Sequence, residues 1–129
     1  MRRDPVTPAD GPPPSGTYSP GMRVGRLLFV SGQAPLDGEG EPIGGPVSGQ
    51  VLKALENLER VARAAGGALA DAVRVGVYLD DLSDFAEMDC AYRTIFTGVP
   101  PARTTIQSNL REFAVEIDAV ILLPEEEEQ

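Results

Sequence analysis

A single arginine opens one apolar segment, Pro100-Pro101-Ala102-Arg103-Thr104-Thr105, and a carboxylate sits inside the next, Val115-Glu116-Ile117-Asp118-Ala119. A half-buried guanidinium is costly unless it has a partner. Its planar fork suits a carboxylate, whether from protein or ligand. If the two segments pair as strands, Arg103 and Glu116 can face one cleft, and a small carboxylate-bearing metabolite is the ligand this favours. The competing reading is an intramolecular Arg–Glu pair that only ties two strands together.

Other candidates have two readings each. Ser31-Gly32-Gln33 follows an apolar run; its glycine lets a ligand approach the backbone and its N–H groups could hold an anion, or the three residues simply end a strand. Tyr18, in a loop of small residues, is a pocket wall or an anchor for the N-terminal arm. Cys90 lies beside Asp89 in a chain without histidine, so a packed or surface thiol suits it better than a nucleophile. Asp80, Asp81 and Asp84 match no calcium-loop spacing and read as helix-capping charge. Gly66-Gly67 is a helix stop, because no Gly-Lys-Ser/Thr follows it.

The totals narrow the chemistry. The 129 residues suit one domain, and 42% hydrophobic with 24% charged residues is ordinary globular composition. A formal charge of -9 argues against nucleic acid as a partner. With no histidine and one cysteine, Ser-His-Asp and Cys-His catalysis, an intrachain disulfide and the common zinc sites are excluded. The expectation is chemistry built from carboxylates, arginine, hydroxyls, backbone groups or bound water. No apolar run is long enough to span a bilayer, and Met1-Arg2-Arg3-Asp4-Pro5 does not lead into a secretory signal, so no membrane association and a cytoplasmic location are expected.

These residues need a scaffold to position them. Residues 1–14, rich in proline, glycine and charge, read as a flexible arm, ordered only where it lies on a neighbour. Residues 15–123 form the single domain, and 124–129 an acidic tail. Gly25-Arg26 turns a short strand into Leu27–Val30. Ser48 is placed to cap a helix reaching about Ala65, with Val51, Leu55, Leu58, Val61 and Ala62 on one stripe. Val73, Val75, Val77 and Leu79 alternate on one face of a strand. Ser83 is placed to cap a second helix through Phe96, with Phe85, Met88, Tyr92, Ile95 and Phe96 on one side. Arg103–Ser108 and Phe113–Leu123 complete the strands, joined by a short polar turn. The order suggests an α+β sheet with both helices on one face. Leu27-Leu28-Phe29-Val30 and Val120-Ile121-Leu122-Leu123 are apolar at both parities, which leaves an uncovered sheet face suited to self-association in a closed ring.

Together, Gly16-Thr17-Tyr18-Ser19, Leu28-Phe29-Val30-Ser31-Gly32-Gln33, Asn57-Leu58, Val77-Tyr78-Leu79-Asp80-Asp81-Leu82-Ser83-Asp84-Phe85, Ala91-Tyr92, Phe96, Pro101-Ala102-Arg103-Thr104-Thr105 and Val115-Glu116-Ile117-Asp118-Ala119 give this chain its family likeness. It resembles the Rid/YjgF family of reactive-intermediate (enamine/imine) deaminases over about residues 15–122. The resemblance implies a chorismate-mutase-like α+β fold, with a mixed sheet and two helices, assembled as a homotrimer with clefts between subunits. It implies that Arg103 clamps a substrate carboxylate and Glu116 positions or activates water. Ser31, Gly32 and the Thr105 backbone would shape the cleft, and Tyr18 would line it. The implied reaction is hydrolysis of 2-imino acids, formed from enamines such as 2-aminoacrylate, to 2-keto acids and ammonia, with no cofactor. Alternatives are a deaminase of another unsaturated, aminomuconate-like acid, or a non-catalytic trimer that binds small carboxylates or a protein. Asp89 stands where an asparagine is common in the family and adds negative charge near the cleft. The turn Asn109-Leu110-Arg111-Glu112 is shorter than usual.

Overall fold

The computed structural model describes residues 1–125; the remainder of the acidic tail lies outside the described residues. Its strands are β1 (Arg3–Val6), β2 (Gly21–Val24), β3 (Leu27–Gln33), β4 (Ala72–Leu79), β5 (Ala102–Gln107) and β6 (Val115–Leu122), and its helices are α1 (Val47–Ala64) and α2 (Phe85–Ile95). The strands form one sheet in the order β1-β2-β3-β6-β4-β5. The β4–β5 pair is parallel and the other pairs are antiparallel. The α+β architecture and mixed sheet expected from the sequence are therefore present.

Both helices cover one face. Val51, Leu55, Leu58 and Val61 of α1 and Met88 of α2 are fully buried against Leu28, Val75, Val77, Leu79, Ile117 and Ile121 of the sheet. The alternation of β6 is regular, with Val115, Ile117, Ala119 and Ile121 facing the helices. The opposite face carries partly exposed Leu27, Phe29, Leu122 and Ile106, as the apolar residues at both parities of β3 and β6 foretold.

Several local expectations need correction. Residues Arg3–Val6 of the arm are an edge strand, because the free edge of β2 offers them main-chain partners. Val73 does not share the face of Val75, since the β4–β6 register shifts between Ala72 and Arg74. Ser48 does not cap α1, which starts after Pro46; the Ser48 N–H donates instead to Glu87 Oε2 of α2 at 2.8 Å. The cap before α2 belongs to Asp81, whose carboxylate accepts the Ser83 N–H at 2.9 Å across a short 3-10 turn. Phe85 and Ile95 of α2 remain about two-fifths exposed, so the apolar stripe of this helix is only partly used by the core.

Candidate active site

The segments bearing Arg103 and Glu116 do not pair. β4 lies between β5 and β6, and the two side chains point to opposite faces. Arg103 is in register with Val75, which faces the helices, whereas Glu116 is in register with Tyr78 on the open face. The chain therefore presents two separate groups of candidate residues, each called a half-site below, rather than one cleft.

The first half-site is built where β5, the sheet edge, passes beside α2. Arg103 Nη1 donates to Asp89 Oδ1 at 2.7 Å. The guanidinium also stacks over Tyr92 at 4.7 Å and Phe85 at 5.4 Å from the ring centroids. Aromatic faces attract a cation and restrict its rotamers without consuming its N–H donors. Among the described side chains the Asp89 ion pair engages Nη1. The expected intramolecular ion pair thus exists, but with Asp89 rather than Glu116, and it occupies only one nitrogen of the fork. Hydrogen bonding from Arg103 holds the Asp89 carboxyl below its ordinary value, with burial opposing it. Burial raises Tyr92, while the charge of Arg103 and hydrogen bonding to it oppose that rise. A groove of about 740 Å³ opens here, lined by Asp89, Tyr92, Arg93, Phe96, Pro101 and Arg103.

The second half-site lies at the β3–β6 junction. The register of that pair shifts between Val30 and Gln33, which brings Gly32 against Glu116. A Cβ added to Gly32 would lie 2.9 Å from Glu116 Oε1, so the missing side chain makes room for this carboxyl. Burial, followed by the charge of Asp118, raises Glu116 above the ordinary carboxyl value. Asp118 accepts the Gly76 N–H at 3.1 Å and the Tyr78 hydroxyl at 2.9 Å, bonds that fix its place beside Glu116. Glu116 borders a cavity of about 100 Å³ together with Tyr18, Gly32, Gln33, Asn57 and Phe113.

The candidate residues thus divide. Tyr18, Gly32 and Glu116 meet in the second half-site, and Arg103 and Asp89 in the first. Ser31 donates its hydroxyl to the Ser19 carbonyl at 2.7 Å and ties the Tyr18 loop to β3. The Tyr18 hydroxyl accepts the Ser15 N–H at 3.1 Å. Thr105 is in register with Val77, two residues along the strand from Arg103. Sequence reasoning missed the Phe85 and Tyr92 contacts to Arg103, the place of Arg93, and the role of Asn57. The Asn57 amide donates to the Ala34 and Leu36 carbonyls at 3.1 and 3.0 Å and fixes the wall beside Gln33. The i, i+4 spacing of Asp89 and Arg93 was the available signal for Arg93. Cys90 is exposed. Among the described residues, no cluster of three or more histidine, cysteine or acidic side chains could hold a metal ion, and no helix is long and apolar enough to cross a membrane.

A mixed sheet with two helices on one face, an edge-strand arginine clamped on aromatic rings and a desolvated carboxyl on the other face define an α+β domain of the YjgF type. The chain belongs to the Rid/YjgF family: the sequence pattern described as Endoribonuclease L-PSP matches residues 9–123. It is 37% identical over 123 residues to a RutC family protein of Pyrococcus abyssi, covering 93% of this chain and 97% of the relative. It is 31% identical over 120 residues to the 2-iminobutanoate/2-iminopropanoate deaminase of Salmonella typhimurium, covering 89% and 94%. The crystal structure of E. coli TdcF with bound serine is similar, with a TM-score of 0.87 at 27% identity, covering 94% of this chain and 99% of that one.

Proposed function

We propose that this protein is a cofactor-free hydrolytic deaminase of small 2-imino acids, acting as a homotrimer. The observation that carries the reading is Arg103, fixed on two aromatic rings beside an open groove, with its ion pair to Asp89 made through Nη1. The kinship with a named iminobutanoate/iminopropanoate deaminase supports the reaction class. The serine bound by the related TdcF supports a small carboxylate as ligand.

An imine carbon is already electrophilic, so hydrolysis needs orientation, water and proton transfer rather than a nucleophilic side chain. The substrate carboxylate docks on Arg103. Water adds to C2, forming a C–O bond while the C=N π electrons move to nitrogen, which takes a proton. The carbinolamine hydroxyl proton is then transferred to the amino nitrogen, the oxygen electrons form C=O as the C–N bond breaks, and a 2-keto acid and ammonia leave. Glu116, its pKa raised by burial and by Asp118, is suited to pass the proton between water and nitrogen.

Because Arg103 and Glu116 face opposite sides of one sheet, their joint action requires two copies of the chain. The apolar open face, with Leu27, Phe29, Ile106 and Leu122 partly exposed, supports such an assembly. The test combines sedimentation mass with ammonia and keto-acid release from enzymatically generated 2-iminopropanoate. A trimer with turnover that depends on Arg103 is expected. A monomer, or equal rates for wild type and Arg103→Ala, would refute the proposal.

A further inference from the structure

The Arg103 groove holds more charge than a clamp for one carboxylate requires. Asp89 divides its carboxylate between two arginines, with Oδ1 accepting from Arg103 Nη1 at 2.7 Å and Oδ2 from Arg93 Nη2 at 2.9 Å. All three side chains line the same groove. Arg103 and Asp89 side chains are only 20% and 26% exposed, so their charges are weakly screened, whereas Arg93 is 76% exposed at the rim. Two guanidinium groups and one carboxylate leave a net charge of about +1 in the groove, which one bound carboxylate would neutralise.

Resting on the imino-acid reading above, we propose that Asp89 is a specificity-determining residue that makes the groove selective for monocarboxylic substrates over dicarboxylic ones. It acts in two ways. Its own charge repels a second carboxylate on any substrate whose first is already on Arg103. It also holds Arg93, the other cation among the described residues that line the groove, which could receive that second carboxylate. Removing the charge while keeping the side-chain shape therefore abolishes the repulsion and releases Arg93. Two like charges about 6 Å apart at a partly buried site open to a solvent-filled groove correspond to about a tenfold change in affinity. A purely structural role, an i, i+4 pair between Asp89 and Arg93 on the helix surface, would leave the ratio of the two affinities unaltered.

The test is calorimetric binding of 2-oxobutanoate and 2-oxoglutarate, as mono- and dicarboxylic probes, to the wild type, Asp89→Asn, Asp89→Asn/Arg93→Ala and Arg103→Ala. The wild type should favour 2-oxobutanoate by about tenfold or more, and Asp89→Asn should narrow that ratio by about tenfold. Adding Arg93→Ala should remove much of the gained 2-oxoglutarate affinity. If Arg103→Ala abolishes binding of both acids while Asp89→Asn leaves their ratio unchanged, the carboxylate clamp stands and the selectivity role of Asp89 is overturned. Full binding of both acids by Arg103→Ala would overturn the clamp, and the selectivity role with it.

Discussion

Gly32→Ala isolates the Glu116 half-site with a single methyl group. Gly32 does not have a positive φ, so alanine fits its backbone without conformational strain. The new Cβ, however, would lie 2.9 Å from Glu116 Oε1, 3.0 Å from Cδ and 3.2 Å from Cγ. Ordinary contacts begin near 3.4 Å, so the carboxyl must retreat by about 0.5 Å, which the end of a flexible side chain can do. The fold should tolerate this, because alanine also restricts the unfolded chain, a gain of about 0.4–1 kcal/mol that offsets local crowding. Catalysis should not tolerate it. Displacing a group that must reach an attacking water costs up to about a hundredfold in rate for about 1 Å. Keto-acid release from 2-iminopropanoate should fall by about ten- to a hundredfold, while the urea midpoint shifts little and binding of 2-oxobutanoate at Arg103 is kept. Wild-type turnover in a folded Gly32→Ala protein would refute the placement of Glu116 in the reaction.

Further outcomes follow from the same geometry. Glu116→Gln should alter the pH dependence of stability. Because folding raises the pKa of this carboxyl, the native state binds more protons than the unfolded one between the ordinary carboxyl value and the raised one, so the wild type loses stability as pH rises through that window. The glutamine variant should therefore gain relative stability at pH 7 and none near pH 3, as read from urea midpoints across pH; a gain that is equal at both would contradict the raised pKa. Asn57→Ala should cost about 2–3 kcal/mol in urea unfolding, because it strips the Ala34 and Leu36 carbonyls of their donor in a buried site. Leu58→Ala, at a fully buried position of α1, should cost about 2–5 kcal/mol by the same measurement.

Much of the scaffold was legible because it rests on local periodicity. The α1 stripe of Val51, Leu55, Leu58 and Val61, and the alternation from Val75 to Leu79, follow from helix and strand periods. What escaped was set by distant partners. Ser48 looks like a cap, yet Pro46 precedes the helix and Glu87, 39 residues on, supplies the acceptor for its N–H. Val73 follows the alternation in sequence but leaves it where the ladder to β6 slips. The site shows the same division. Arg103 and Glu116 stand out as charged residues in apolar segments, but no local signal reveals that β4 inserts between their strands and sends the two side chains to opposite faces. Tyr92 and Phe85 read as core residues by spacing, and only the approach of β5 to α2 turns them into a seat for the guanidinium.

Complementation between inactive variants tests most directly whether the two half-sites join across copies of the chain. Arg103→Ala and Glu116→Gln should each be nearly inactive in 2-iminopropanoate hydrolysis. Unfolded together in equal amounts and refolded, they should assemble at random, so that about a quarter of the inter-subunit clefts receive both native side chains. The account predicts recovery of about a quarter of wild-type activity from that mixture. Activity no higher than that of the parent variants, in a mixture shown to have exchanged subunits, would contradict it.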